Sequence, residues 1–136
     1  MSNARAVIDQ HVDAFNSRTP DTEPWSLKAE LVSPGGTFVG REAVLGFLSV
    51  FQGAFSDGRL SIHSAVIDGD NASVEGTYRG VHDGILQSPS GPVEQTGRPV
   101  SFRWSATYLV QETELVSEHL YFDQLDFLGQ LGLLPG

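Results

Sequence analysis

The sequence predicts an α+β domain, with helices packed on one face of a curved antiparallel sheet. Three observations carry that expectation. Two apolar stripes at helical spacing lie between residues 4 and 55, the apolar period changes to two from residue 59, and clusters of Gly, Pro, Asp and Ser separate the segments. The chain has 136 residues, of ordinary globular composition and without internal repeats or a linker, so residues 1–136 read as a single domain.

Ala4, Val7, Ile8, Val12 and Phe15 form the stripe of the first helix, with Ser2 or Asn3 placed to cap it and Pro20 to end it. A short helical turn is expected over Pro24 to Leu31, with Asp21 or Thr22 as its cap. Pro34, Gly35 and Gly36 force a turn. Val44, Phe47, Leu48, Phe51 and Phe55 then mark a second helix, stopped by Ser56, Asp57 and Gly58. Leu60, Ile62 and Val66 alternate with Ser61 and His63 in a first strand, and Asp68-Gly69-Asp70 turns into a second, from about Asn71 to His82. A Gly, Pro and Ser-rich loop spans Asp83 to Gly97. A long strand runs from Val100 to Val110, a turn covers Glu112 to Glu114, and a last strand runs from Leu115 to about Leu125. The apolar tail Phe127 to Leu134 follows.

Charge narrows the partners. Lys and Arg total 8 against 17 Asp and Glu, a net charge of −9. Such a chain is repelled by phosphate backbones and anionic lipid, so neither nucleic acid nor a membrane surface is expected as a partner. The absence of cysteine excludes disulfides, thiolate metal sites and Cys nucleophiles. Asp9 and Asp13 stand where a secretion signal would be apolar, and no apolar run approaches the roughly 20 residues of a membrane span, so the expected location is cytoplasmic. The four His are dispersed, so no metal site is expected.

Strand parity points to an inner face. The even positions of the long strand, Val100 to Val110, are apolar and belong to the core. The matching sets are Val74, Gly76, Tyr78, Gly80 and His82 on the preceding strand and Val116, Glu118, Leu120 and Phe122 on the last. The opposite parity, with Arg103, Ser105, Thr107, Ser117, His119, Tyr121 and Asp123, suits solvent or a dimer face; a bulge would invert part of this assignment. The inner face is thus apolar with two titratable side chains, His82 and Glu118. A carboxylate buried among Tyr78, Trp104 and Tyr108 should have a raised pKa, which suits a general acid or base. Its bland alternative is a buried structural partner for a backbone group or an Arg. His63 and His11 read as structural or solvated. Gly35-Gly36 lacks the Lys and helix spacing of a phosphate loop.

Five segments in this order resemble the SnoaL-like polyketide cyclase family of the nuclear transport factor 2-like superfamily. They are Phe38-Val39-Gly40-Arg41-Glu42-Ala43-Val44, Gly80-Val81-His82-Asp83-Gly84, Thr96-Gly97-Arg98-Pro99-Val100-Ser101-Phe102, Val116-Ser117-Glu118-His119-Leu120-Tyr121-Phe122-Asp123 and Gly129-Gln130-Leu131-Gly132. The resemblance spans about residues 7–134. It implies a cone-shaped barrel, in which a strongly curved antiparallel sheet wraps around N-terminal helices and leaves an apolar pocket. It also implies a homodimer through the outer sheet face. Phe51, Phe55, Tyr78, Trp104, Tyr108, Leu120 and Phe122 would line the pocket, with Trp25 stacking on a planar ligand from a lid.

The resemblance matches His82 to a family His at a strand end, at the expected pocket mouth; its structural alternative is to order the loop from Asp83 to Gly97. His119 matches a His beside Glu in the family, but its parity points outward. Counted back from Gln130-Leu131-Gly132, the general acid/base Asp of the family's aldol cyclases falls on Leu120, a second acid on Asp123, and their partner His near Ala106 or Thr107. Leu carries no proton, so the cyclase mechanism does not transfer as it stands. One reading is a cofactor-independent enzyme moving a proton next to a carbonyl of a hydrophobic, polyketide-like ligand, with Glu118 as base and His82 polarising the carbonyl. Another is a non-catalytic small-molecule-binding or auxiliary protein that has lost the acid. A third is an interaction protein whose dimer face matters.

Overall fold

The structure is a computed structural model and describes residues 3–134. Its first helix, α1 (Ala4–Ser17), buries Ala4, Val7, Ile8, His11, Val12, Ala14 and Phe15. Asn3 stands at its N-cap without a side-chain capping bond, and Ser2 lies outside the described residues. A single 3-10 turn at Pro20–Thr22 follows. The helical turn expected over Pro24 to Leu31 is instead a strand, β1 (Trp25–Ser33). Leu27-Lys28-Ala29-Glu30-Leu31 is rich in helix formers, but local propensity is a weak prior against a partner strand on each side. β1 pairs antiparallel with β2 (Gly36–Val39) through the two-residue turn Pro34-Gly35, and parallel with the last strand, β8 (Glu114–Phe122). Its inward residues Trp25, Ala29 and Leu31 are buried, while Leu27 is 81% exposed.

Gly40 takes a φ of 95° at the N-cap of α2 (Arg41–Ala54), a conformation that favours glycine. Along α2, Val44 and Leu48 are buried, as is Phe55 at its C-cap, with Phe47 and Phe51 half-buried. β3 (Arg59–Asp68) and β4 (Asn71–Val81) form a hairpin around Gly69-Asp70. An irregularity at His63 shifts the register between Ile62 and Ser64. Ala65 therefore turns inward and Val66 outward, 66% exposed, against the alternation read from sequence. The loop after His82 holds a small hairpin, β5 (Leu86–Ser88) and β6 (Gly91–Val93). β7 (Pro99–Gln111) buries every even residue from Val100 to Val110. In β8 a second bulge passes Val116: Val110 pairs with Leu115 and Leu109 with Ser117. Leu115 takes the core place expected of Val116, and the expected parity holds from Glu118 onward, with Glu118 opposite Tyr108. The apolar tail is helical over α3 (Gln124–Gln130), which Asp123 caps by accepting the Asp126 amide at 2.9 Å.

The fold is α+β, with a mixed six-stranded sheet in the order β2-β1-β8-β7-β4-β3. β1 and β8 are the parallel pair that an all-antiparallel expectation leaves out. The curved sheet is open, since among the described residues no pairing joins β2 to β3. α1 lies against β3, β4, β7 and β8, and α2 against β1 and β2, so both helices line the concave face. Ile8, Leu31, Val44 and Leu115 are fully buried there; removing such a side chain from water contributes roughly 1.5–3 kcal/mol. Among the described residues no helix is long and apolar enough to cross a membrane.

Candidate functional site

Between α1, α2 and the sheet is a cavity of about 50 Å³, room for a few waters at roughly 10–15 Å³ each. His11 and Phe15 come from α1, Phe47, Leu48 and Phe51 from α2. The sheet adds Leu60 from β3, Tyr78 from β4, Phe102, Trp104 and Tyr108 from β7, and Glu118, Leu120 and Phe122 from β8. Trp104 can lie flat because β4 has Gly76 beneath it; a Cβ at Gly76 would come within 2.6 Å of the indole. Tyr78 offers its ring, since its hydroxyl points at Gly58, where a Cβ would lie 2.1 Å away. Burial holds that hydroxyl protonated, its pKa well above the ordinary phenol range.

The polar centre is a line of buried groups. His11 Nδ1 lies 2.6 Å from Glu23 Oε1, and Trp25 Nε1 donates to the same oxygen at 3.1 Å. The other ring nitrogen, His11 Nε2, lies 3.7 Å from Glu118 Oε1. Tyr108 stands opposite Glu118 across the β7–β8 pair, and burial with the Glu118 charge keeps that phenol protonated, well above its ordinary pKa. Glu118 Oε1 and Trp104 Nε1 are buried with no hydrogen-bond partner among the described residues. Both belong to side chains on the cavity wall.

Electrostatics sets the protonation states. Burial alone would lower the pKa of His11, but the Glu23 carboxylate, by charge and hydrogen bond, and then Glu118 outweigh it. The imidazole is held above its usual value. Burial pushes Glu118 up to about 7, against the pull of His11 and the Tyr108 hydroxyl and with a further push from the Glu23 charge. A carboxyl titrating near neutrality, with one oxygen that accepts no hydrogen bond, can take up or release a proton at a bound molecule.

Of the residues expected at the site, Glu118, Phe51, Tyr78, Trp104, Tyr108, Leu120 and Phe122 converge on this cavity. His82, Trp25 and Phe55 do not line it. The His82 ring packs on Phe55, centroids 5.5 Å apart, and its Nδ1 accepts the Thr96 amide at 3.1 Å. His82 thus orders the loop that follows it, the structural alternative stated above. Phe55 is buried at the end of α2, against Tyr78, His82 and Phe127. Trp25 is no lid residue; it is buried in β1 and holds Glu23. Glu118 therefore has His11 as its histidine neighbour. His11 was legible as the polar member of the α1 stripe, between Ile8 and Phe15. Glu23, in a segment expected to begin a helix, carried no such mark. His119 is on the outer face, 3.9 Å from Glu30, and Asp123 serves α3.

The profile of the SnoaL-like domain matches residues 8–119. The chain belongs to the SnoaL-like family. Members known by structure share its fold. IdmH from Streptomyces antibioticus, described as a candidate polyketide cyclase, is 26% identical, with 95% of this chain and 98% of that one covered and a TM-score of 0.80. A candidate SnoaL-like polyketide cyclase from Jannaschia sp. CCS1 is 15% identical (98% and 94% covered, TM-score 0.84). A candidate polyketide cyclase from Xanthomonas campestris pv. campestris is 17% identical (95% and 96% covered, TM-score 0.81). No curated protein matches the chain.

Proposed function

We propose that the cavity receives the carbonyl end of a hydrophobic small molecule and that Glu118 transfers a proton at the adjacent carbon. The observation that supports this best is Glu118 itself, a buried carboxylate with a pKa near 7 and an oxygen without a hydrogen bond on an apolar cavity wall. Glu118 Oε1 takes a proton from the carbon next to the carbonyl. The C–H bonding pair moves into the carbon skeleton and the carbonyl oxygen becomes an enolate oxygen. Trp104 Nε1–H, otherwise unpaired, donates to that oxygen as charge develops, a contact strengthened by exclusion of water. Glu118 then returns the proton. Delivered to another carbon, it completes an isomerisation. When the enolate carbon attacks a second carbonyl of the same molecule, a C–C bond closes a ring and the new alkoxide takes the proton. His11 and Glu23 are positioning residues: His11 faces Glu118 Oε1 from 3.7 Å and sets its charge, and Glu23 holds the His11 ring from the other side.

The alternative is a binding protein without turnover. Leu120 favours it, since its apolar side chain lines the cavity where the family resemblance places the cyclase acid. Deuterium uptake at the activated carbon of a panel of hydrophobic diketones and keto esters, followed by NMR, separates the two. Wild type should exchange faster than Glu118→Gln by roughly 10²- to 10⁴-fold. Equal rates remove Glu118 from any mechanism and leave the binding protein.

A further inference from the structure

A second concavity, about 440 Å³, lies on the surface between α2, the β5–β6 hairpin and α3. Its wall toward the interior is Phe47, Phe51 and Phe122, the same three side chains that close the Glu118 cavity from outside. These rings pack edge to face, Phe47 and Phe51 at 5.5 Å between centroids and Phe51 and Phe122 at 6.3 Å, so they alone separate the two spaces. All three are half-buried. The groove presents no charged side chain, although the protein carries a net charge of −9. Its polar groups are neutral, among them Gln87, Ser88 and Gln124.

The inner cavity is far below the roughly 300–1,000 Å³ of a small-molecule site. A hydrophobic molecule cannot fit there whole. The adjoining groove has the missing volume and the missing apolar area. We infer that the two spaces are one bipartite site, with a neck through Phe47, Phe51 and Phe122. The carbonyl end passes the neck to reach Glu118, and the rest of the molecule lies in the groove. The ligand class is an uncharged, elongated or planar apolar molecule with its carbonyl at one end; oxygens along its body would meet the neutral amides and hydroxyl of the groove. This inference rests on the proton-transfer reading of Glu118.

Gly46 provides the test. It lines the groove from α2, and a Cβ built there meets nothing within 4 Å. Gly46→Leu puts an isobutyl group into the groove while removing a glycine from a helix interior, so the fold should not suffer. Gly53→Leu, on the same helix and also in open space, is the control, because Gly53 lines neither space. The probes are a neutral fluorescent naphthyl ketone, propionyl-dimethylaminonaphthalene, and butanone, which offers the carbonyl end without a body to lie in the groove. The naphthyl ketone should bind wild type and Gly53→Leu with a blue-shifted emission, and bind Gly46→Leu about 10-fold more weakly or worse. Butanone should shift the Trp104 indole N–H resonance equally in all three proteins. Equal naphthyl-ketone affinity in Gly46→Leu, or none in wild type, overturns the bipartite site. If butanone leaves the Trp104 resonance unmoved, the reading of the Glu118 chamber falls, and the bipartite site with it.

Discussion

His11 and His82 are both buried against the concave face of one sheet, at 2% and 0% exposure. Around His82 the ring's hydrogen-bond partners are neutral. Its Nδ1 accepts the Thr96 amide, which places the ring proton on Nε2, and Nε2 packs without a partner among the described residues. Its own amide and carbonyl continue the strand ladder to Arg98 and Gly97. Around His11 each ring edge meets a carboxylate, Glu23 on Nδ1 and Glu118 on Nε2. A histidine among neutral donors orders backbone. One set between two carboxylates keeps a proton that can be shared. Burial does not distinguish the two; what the nitrogens face does.

The largest expected difference is in turnover. On a substrate showing proton exchange, His11→Gln should lower kcat/KM by about 10²- to 10³-fold, and His82→Gln by less than about 2-fold. The His11 charge helps hold the Glu118 pKa down, so its loss should also move the acid limb of the pH profile upward from near 7. A packing role for His11 would lower activity without moving that limb. Matching losses in the two variants would erase the contrast.

The next difference is in stability against pH. The folded pKa of Glu118 is about 7, raised from 4.5 chiefly by burial, so the folded state holds its proton more tightly than the unfolded chain. Stability from this group is greatest below pH 4.5 and is lost as pH rises toward 7, about 3 kcal/mol in all at 1.36 kcal/mol per unit. The raised pKa of His11 acts in the same direction. Its contribution is complete below 6.5 and falls as pH rises through the folded value. Urea unfolding should therefore show wild type weakening from pH 5 to 8 and Glu118→Gln losing much of that slope. A flat wild-type profile would mean that Glu118 is ionised without cost.

The same contrast shows what the residues alone could reveal. Period-two alternation in Val100 to Val110 is strict because that strand is central and buries one face, so it was readable, and it carried Glu118 and Trp104 to the correct side. Parity reports the face of a sheet, not the position along it. His82 and Glu118 share the concave face, yet Phe55 covers one and the cavity reaches the other. The bulges at His63 and Val116 have no residue signature, and each moved an apolar side chain from its expected face. β1 and Glu23 were hidden for a different reason. A parallel pairing across most of the chain is a long-range contact, and local pattern carries no record of it.

The smallest expected effect tests what His82 does hold. The loop after it is tied at two ends. At one, Asp83 accepts the Ser56 amide at 2.9 Å and the Ser56 hydroxyl, bonds that hold its carboxyl below the usual range, and the Asp83 and Gly84 amides donate to Ala54 O at 3.1 Å each. At the other, Thr96 and Gly97 depend on His82. His82→Ala leaves the Thr96 amide without its acceptor, at a cost on the order of 1 kcal/mol. Local opening then becomes easier at that end alone. Amide exchange at Thr96 and Gly97 should speed up about tenfold, while the amides of Asp83 and Gly84 keep their wild-type rates. A uniform acceleration at both ends would show His82 holding the whole domain, and a slower Thr96 amide would show that another acceptor had replaced it.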